Sequence, residues 1–198
     1  MFSGIIESTG RIAAIEDHAG DKRLSIHADI LDLADVKTGD SIAVNGVCLT
    51  VTGCSDKQFA VDVSAETLSC TTFNECKVGS KVNLEKALQL SGRLHGHLVT
   101  GHVDGVGKII DRKPDARSER IEINCSPGLL RYISKKGSVC IDGVSLTVNE
   151  KSATGFSVNI IPHTLQQTIV SNYKEGTRVN IEVDTVARYV ESLMPNNR

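Results

Sequence analysis

Asn45-Gly46-Val47-Cys48-Leu49-Thr50-Val51 returns 97 positions later (142 minus 45) as Asp142-Gly143-Val144-Ser145-Leu146-Thr147-Val148. Each stretch opens with a pair that accepts positive φ, the chemistry of a tight hairpin turn, and goes on with an apolar residue at every second position. It therefore reads as a turn followed by a strand with one buried face. Outward from this centre the same offset holds without a gap. Phe59-Ala60-Val61-Asp62-Val63 falls on Phe156-Ser157-Val158-Asn159-Ile160, and Thr67-Leu68 on Thr164-Leu165. Gly79-Ser80-Lys81-Val82-Asn83-Leu84-Glu85 falls on Gly176-Thr177-Arg178-Val179-Asn180-Ile181-Glu182, while Gly4 and Gly10 meet Gly101 and Gly107. One fold unit thus occurs twice in tandem.

Within each unit the strands are short. Ser41-Ile42-Ala43-Val44 runs into the first turn, Phe59, Val61 and Val63 alternate with polar or small neighbours, and so do Val82 and Leu84. Roughly five or six such strands per copy predict a small antiparallel barrel, closed or partly open, and an all-β fold class. Helical signals are few: Ser64 can cap a turn over 65–68, and Pro127 can open another running to Ile133. The strongest lies at the end, where Asp184 can cap a helix with Val186, Tyr189, Val190 and Leu193 on one face and Pro195 as its stop. Copy one has no counterpart, since Ser91-Gly92 and Gly96 follow instead. The organisation expected is a barrel over 1–90, a linker over 91–97, a second barrel over 98–184, and a terminal helix and tail over 185–198. That helix either packs on its own chain or joins subunits through its apolar stripe.

Among the 198 residues, 22 Lys and Arg face 24 Asp and Glu, and the basic residues gather into no stripe, which argues against a nucleic-acid partner. No apolar run approaches the ~18 residues of a membrane span, and Met1-Phe2-Ser3-Gly4 runs directly into repeat sequence without a leader. A soluble cytoplasmic protein is the expectation. Cys48, Cys54, Cys70, Cys76, Cys125 and Cys140 form no Cys-x-x-Cys pair, and none falls on another cysteine across the repeat; they read as free thiols.

Chemistry is sought where the copies differ. Cys48 falls on Ser145, so two potential nucleophiles share one register after a hairpin turn. His102 falls on Ile5, within a segment that also holds His95 and His97. Spacings of two and five residues without a companion thiolate or carboxylate motif make a weak zinc set; His102 as a general base near neutral pH is the better reading. Asp62 and Asn159, Thr67 and Thr164, Thr50 and Thr147, Ser41 and Ser138 are matched hydrogen-bonding pairs suited to a polyhydroxylated or heterocyclic ligand. For the two strand threonines, β propensity alone is an equal explanation. No phosphate loop is present, because the glycines of 101–107 lack the strand-to-helix setting.

Met1-Phe2-Ser3-Gly4-Ile5-Ile6-Glu7, Gly101-His102-Val103-Asp104-Gly105 and the two turn-strand stretches together resemble the riboflavin synthase family of the α-chain type, over essentially the whole chain. The resemblance implies tandem six-stranded Greek-key barrels, a homotrimer held through C-terminal helices, and dismutation of two 6,7-dimethyl-8-ribityllumazine molecules into riboflavin and 5-amino-6-(ribitylamino)uracil. It implies no metal and no cofactor, and it brings an association with lumazine synthase into consideration. His102 would act as the base on the acidic C7 methyl, Cys48 and Ser145 would stand at the ring, and Asp184 would lie near the site. Ring and ribityl contacts would come in copy one from Gly4, Ile5, Ile6, Ser41, Cys48, Leu49, Thr50, Asp62, Val63, Ser64, Ala65, Glu66 and Thr67. In copy two they would come from Gly101, His102, Val103, Lys136, Ser145, Leu146, Thr147, Asn159, Ile160, Ile161, Pro162, His163 and Thr164. The rival readings are a non-catalytic lumazine or flavin carrier on the same barrels and a purely structural two-barrel protein.

Overall fold

The computed structural model describes residues 1–194. Six strands, β1 (Ser8–His18), β2 (Asp21–Ala28), β3 (Ser41–Val44), β4 (Val47–Cys54), β5 (Gln58–Val63) and β6 (Lys81–Lys86), close into a barrel in the order β1-β2-β5-β4-β3-β6. Six more, β7 (Gly105–Asp115), β8 (Ser118–Asn124), β9 (Ser138–Ile141), β10 (Val144–Lys151), β11 (Gly155–Ile160) and β12 (Arg178–Val183), repeat that Greek-key order in a second closed barrel. All pairings between these strands are antiparallel. Even the irregularities recur at the repeat distance: β1 slips register between Ile12 and Ala14 and β7 between Ile109 and Asp111, β4 between Val51 and Gly53 and β10 between Val148 and Glu150. Such bulges supply the local twist that lets so few strands curl shut.

The turn pairs behave as their chemistry requires, with Asn45 at φ 46° and Gly46 at 76°, Asp142 at 44° and Gly143 at 84°. The inward residues of each strand make one core per barrel, Ile12, Leu24, Ile26, Ile42, Val51 and Phe59 among them in the first, and Ile109, Ile121, Ile123, Val139, Val148 and Val158 in the second. Between β5 and β6 lies α1 (Ala65–Cys70), capped by Ser64 Oγ accepting from Thr67 N; its mate α3 (Pro162–Gln167) has no side-chain cap at Ile161 and instead carries Pro162 in its first turn. The helix expected to run from Pro127 to Ile133 is shorter, α2 (Pro127–Leu130), capped by Ser126. All six cysteines are free thiols.

The barrels meet about a pseudo-twofold axis through the two turns. A Cβ on Gly46 would lie 2.6 Å from Gly143 N, so the turn tips touch backbone to backbone. Around them Asn83 Nδ2 donates to Asp142 O and Asn180 Nδ2 donates to Asn45 O, both at 2.9 Å, while Asn83 Oδ1 and Asn180 Oδ1 accept from Ile169 N and Thr72 N, both at 2.8 Å. Both asparagines are buried, and each fills its amide with the opposite copy. The last described element is α4 (Thr185–Leu193), capped by Asp184 Oδ1 accepting from Val186 N at 3.0 Å. Its polar side grips barrel two, Arg188 on Asp104 and the His102 carbonyl, Glu191 on Arg131 and Tyr132. Its apolar stripe faces outward, Val186 57% and Leu193 84% exposed. Pro195, the expected stop, falls outside the described residues. None of the described helices is long and apolar enough to cross a membrane.

Candidate active site

The segments that lead into the two barrels pair with each other across the axis. Phe2 and Val99 form an antiparallel bridge, with Phe2 N donating to Val99 O at 2.7 Å and Val99 N to Phe2 O at 3.1 Å. As a result each lead-in segment lands on the opposite barrel. Gly101 O accepts from Cys48 N at 2.8 Å and Val103 packs on the core of barrel one; Gly4 O accepts from Ser145 N at 2.7 Å and Ile6 packs on the core of barrel two. The expected grouping is therefore corrected: Gly4, Ile5 and Ile6 stand with Ser145, and Gly101, His102 and Val103 with Cys48. The approach leaves no room for a side chain, since a Cβ on Gly101 would lie 2.5 Å from Cys48 Cβ and one on Gly4 2.6 Å from Ser145 Cβ. Both glycines also sit in the left-handed region, at φ 80° and 78°.

Two buried carboxylates hold these crossings. Glu85 accepts from Ser3 N (2.7 Å), Ser3 Oγ (2.8 Å) and Gly4 N (3.0 Å); Glu182 accepts from Thr100 N (2.7 Å), Thr100 Oγ1 (2.7 Å) and Gly101 N (2.9 Å). Burial pushes both carboxyls above the usual range while these donors pull them back.

Strand alternation sorts the remaining candidates. Cys48 and Thr50 turn away from the barrel-one core, and Ser41 pairs in register with Thr50 as Ser138 does with Thr147. Leu49, Val63 and Ile160 are buried in the cores, which leaves only their backbone for a ligand; Leu146 is partly buried against the second core. Cys48 leans on the small cluster of Phe2, Ala43, Val99 and Cys140 at the axis. Asp62 is paired with Arg23 at 2.7 Å, which lowers its carboxyl, whereas its mate Asn159 donates from Nδ2 to Asp115 at 2.6 Å. Ser64 Oγ and Thr67 Oγ1 lie 3.0 Å apart, Ala65 N donates to Asp21, and Glu66 accepts from the Cys70 thiol. Lys136 takes φ 67° where copy one has Gly39 at 97°. On the second barrel's side Ile161 and His163 are exposed, Pro162 is half-buried, and Thr164 O accepts from Thr168 Oγ1. Asp184 caps α4.

One contact has no precedent among the sequence signals: His97 Nδ1 lies 2.7 Å from Ser145 Oγ. His97 is buried, 9% exposed, its Nε2 is enclosed without a partner among the described residues, and its backbone N–H donates to Ser3 O. Burial lowers its pKa, with the charge of Asp184 partly offsetting the effect, so the ring is neutral at neutral pH. His102, by contrast, is exposed.

The Lumazine binding domain family matches the chain twice, over residues 3–87 and 100–184, one match per barrel. Riboflavin synthase of Photobacterium phosphoreum is 49% identical over 194 residues, covering 98% of this chain and 89% of the relative. That of Mycobacterium tuberculosis is 46% identical, covering 98% of each, and that of Bacillus subtilis 42% identical, covering 96% and 88%. The chain belongs to the riboflavin synthase family. Solved structures of LumP share the fold as well: the complex with 6,7-dimethyl-8-(1'-D-ribityl) lumazine has a TM-score of 0.83 at 27% identity, and the complex with riboflavin 0.85 at 28%, each covering 92% of this chain and 99% of LumP.

In this riboflavin synthase family member the residues that sequence reasoning passed over are those that join the copies. Glu85 and Glu182 were visible as an aligned pair of acidic residues on strands, and their alignment with a buried register was the available signal. The partnership of His97 with a serine 48 positions away (145 minus 97) carried none.

Proposed function

We propose that this protein is a riboflavin synthase, a transferase that dismutates two 6,7-dimethyl-8-ribityllumazine molecules into riboflavin and 5-amino-6-(ribitylamino)uracil by moving a four-carbon unit from one to the other, the last step of riboflavin biosynthesis. The observation that carries this is identity of 42–49% to riboflavin synthases over nearly the full chain, joined to two lumazine-binding repeats, one on each barrel. The reaction joins two copies of one substrate, and a scaffold with two matched cradles turns their encounter into an intramolecular event. LumP, on the same scaffold, is crystallised with the lumazine, riboflavin and flavin mononucleotide.

In this reading one cradle comprises Cys48, Leu49 and Thr50, Ser41, Asp62 through Thr67, and the crossing loop Gly101, His102 and Val103. The other comprises Ser145, Leu146 and Thr147, Lys136, Asn159 through Thr164, and Gly4, Ile5 and Ile6. Cys48, His102, Ser145 and Asp184 are the residues assigned to the chemistry. Assembly is a homotrimer built through the outward stripe of α4, which brings a barrel-one cradle of one subunit to a barrel-two cradle of the next; the location is cytoplasmic, and association with lumazine synthase is checked by co-sedimentation. The decisive experiment mixes purified protein with the lumazine and follows riboflavin absorbance. Turnover supports the synthase, tight binding without product makes the protein a carrier of the LumP kind, and neither outcome leaves a structural role only.

A further inference from the structure

The loop around His102 is tied down by residues that follow one another along the chain. Glu182, at the end of β12, accepts from Thr100 and Gly101, and Thr100 Oγ1 in turn accepts from His102 N at 3.2 Å. Its neighbour Val183 donates from N to Asp104 Oδ2 at 2.8 Å. Asp184 then caps α4, and a turn into that helix Arg188 Nη2 donates to the His102 carbonyl at 3.2 Å and to Asp104 Oδ2 at 2.5 Å. Copy one repeats the strand ties: Glu85 accepts from Ser3 and Gly4, and Lys86 N donates at 2.7 Å to Oε1 of Glu7, the mate of Asp104. The mate of Arg188, however, is Ser91 (188 minus 97), exposed in the linker, so copy one offers the Ile5 loop neither the helix nor the guanidinium. The lead-in loop that carries an imidazole is the one with the added tie.

Resting on the synthase reading above, we propose that Arg188 is a positioning residue of the reaction: from α4 it fixes the His102 backbone, so that the imidazole keeps its place at the Cys48 cradle. His102 is exposed, and little besides its backbone confines the ring. Three features support the assignment. Arg188 grips the backbone of residue 102 itself and the side chain two residues on, so it spans the far half of the loop as Glu182 spans the near half. The pair it forms with Asp104 is only partly open, the Asp104 side chain being 19% exposed, so solvent screens it less than a free surface pair. The contact is also separable from the docking of α4, because Glu191 holds Arg131 and Tyr132 on its own account. The loop so fixed crosses to the other barrel, where Gly101 O meets Cys48 N. A helix that follows barrel two thereby sets the geometry at the cradle of barrel one, while its apolar stripe stays outward and free for assembly.

The test substitutes Arg188→Ala, which keeps a good helix former in α4, alongside Arg188→Lys, His102→Gln and the double variant Arg188→Ala/His102→Gln. Steady-state turnover is measured together with sedimentation velocity and with amide hydrogen exchange of residues 100–104 in the ligand-free protein by mass spectrometry. Arg188→Ala is expected to keep its sedimentation coefficient, to exchange faster over 100–104, and to lose kcat about tenfold with the lumazine KM within about twofold, because misplacing a catalytic group slows chemistry more than binding. Arg188→Lys should recover most of the kcat, since a single nitrogen makes both contacts. In the His102→Gln background Arg188→Ala should cost nothing further. Unchanged exchange, a smaller sedimenting species, a loss confined to KM, no recovery by lysine, or losses that multiply in the double variant would each overturn the assignment. Failure of the unsubstituted protein to make riboflavin, with exchange still faster in Arg188→Ala, would instead remove the synthase reading.

Discussion

At the scale of single residues, the tightest demand falls on two glycines. Gly101 carries a left-handed backbone and faces Cys48 so closely that a Cβ would collide with the Cys48 side chain and backbone together. Gly101→Ala is expected to cost about 1–3 kcal/mol from backbone strain alone, with further loss from the clash, and to weaken lumazine binding. Thermal melting and ligand titration check this, and an Ala variant that melts and binds like the original would show that the crossing can shift. Sequence reasoning found Gly4 and Gly101 as an aligned pair and Cys48 against Ser145 as a meaningful difference. It could not see that these two pairs interlock, because the contact joins residues 53 positions apart in one case and 141 in the other (101 minus 48, 145 minus 4). It chose His102 among the histidines by motif and by the mismatch with Ile5, but could not see that His102 is exposed and His97 buried, because exposure is a property of the packed chain.

At the scale of elements, period and turn chemistry were fully legible. Positive φ at Asn45-Gly46 and Asp142-Gly143, alternation along β4 and β10, and the Ser64 and Asp184 caps all follow from local residue chemistry. The short α2 differs because residues 131–133 continue only as single turns under the core. The same alternation explains why Leu49, Val63 and Ile160, each flanked by outward residues, bring backbone rather than side chain to a ligand. α4 reverses the usual arrangement of a surface helix, with charged residues against the barrel and apolar ones in solvent. The homotrimer proposed above would cover this stripe, so truncation before Val186 should give smaller species in sedimentation velocity. An unchanged sedimentation coefficient would assign subunit contact to another surface. Because Arg188 also holds the His102 carbonyl, the truncated chain should lose turnover as well as size.

Across the whole molecule the axis between the barrels is nearly symmetric but not quite. Asn45 accepts from Asn83 N at 2.7 Å, and its mate Asp142 accepts from Asn180 N at 2.7 Å, but Asp142 also takes the Tyr173 hydroxyl at 2.5 Å. Burial pushes the Asp142 carboxyl up to about 7. An unfolded aspartate ionises near 3.9, so between these values the folded chain holds a proton that the unfolded chain releases. The associated stability is therefore present at the acid end and is lost as pH rises through about 7, and Glu85 and Glu182, also raised, act in the same sense. The melting temperature should be lower at pH 8 than at pH 6, and Asp142→Asn, which copies Asn45, should narrow that gap; an unaltered gap would place the titration elsewhere. The tandem repeat told of two barrels, and its gapless offset was enough for their common topology. It was silent on how they join, since symmetry between copies is compatible with many arrangements. The bridge of Phe2 to Val99 decides that question, and it has a consequence for a single copy. A lone copy would lack the strip that its neighbour now lends it, and could regain one only by exchanging leading segments with a twin, Phe2 against Phe2. The fused chain thus holds, within one polypeptide, the reciprocal contact that two separate copies would have to make between themselves.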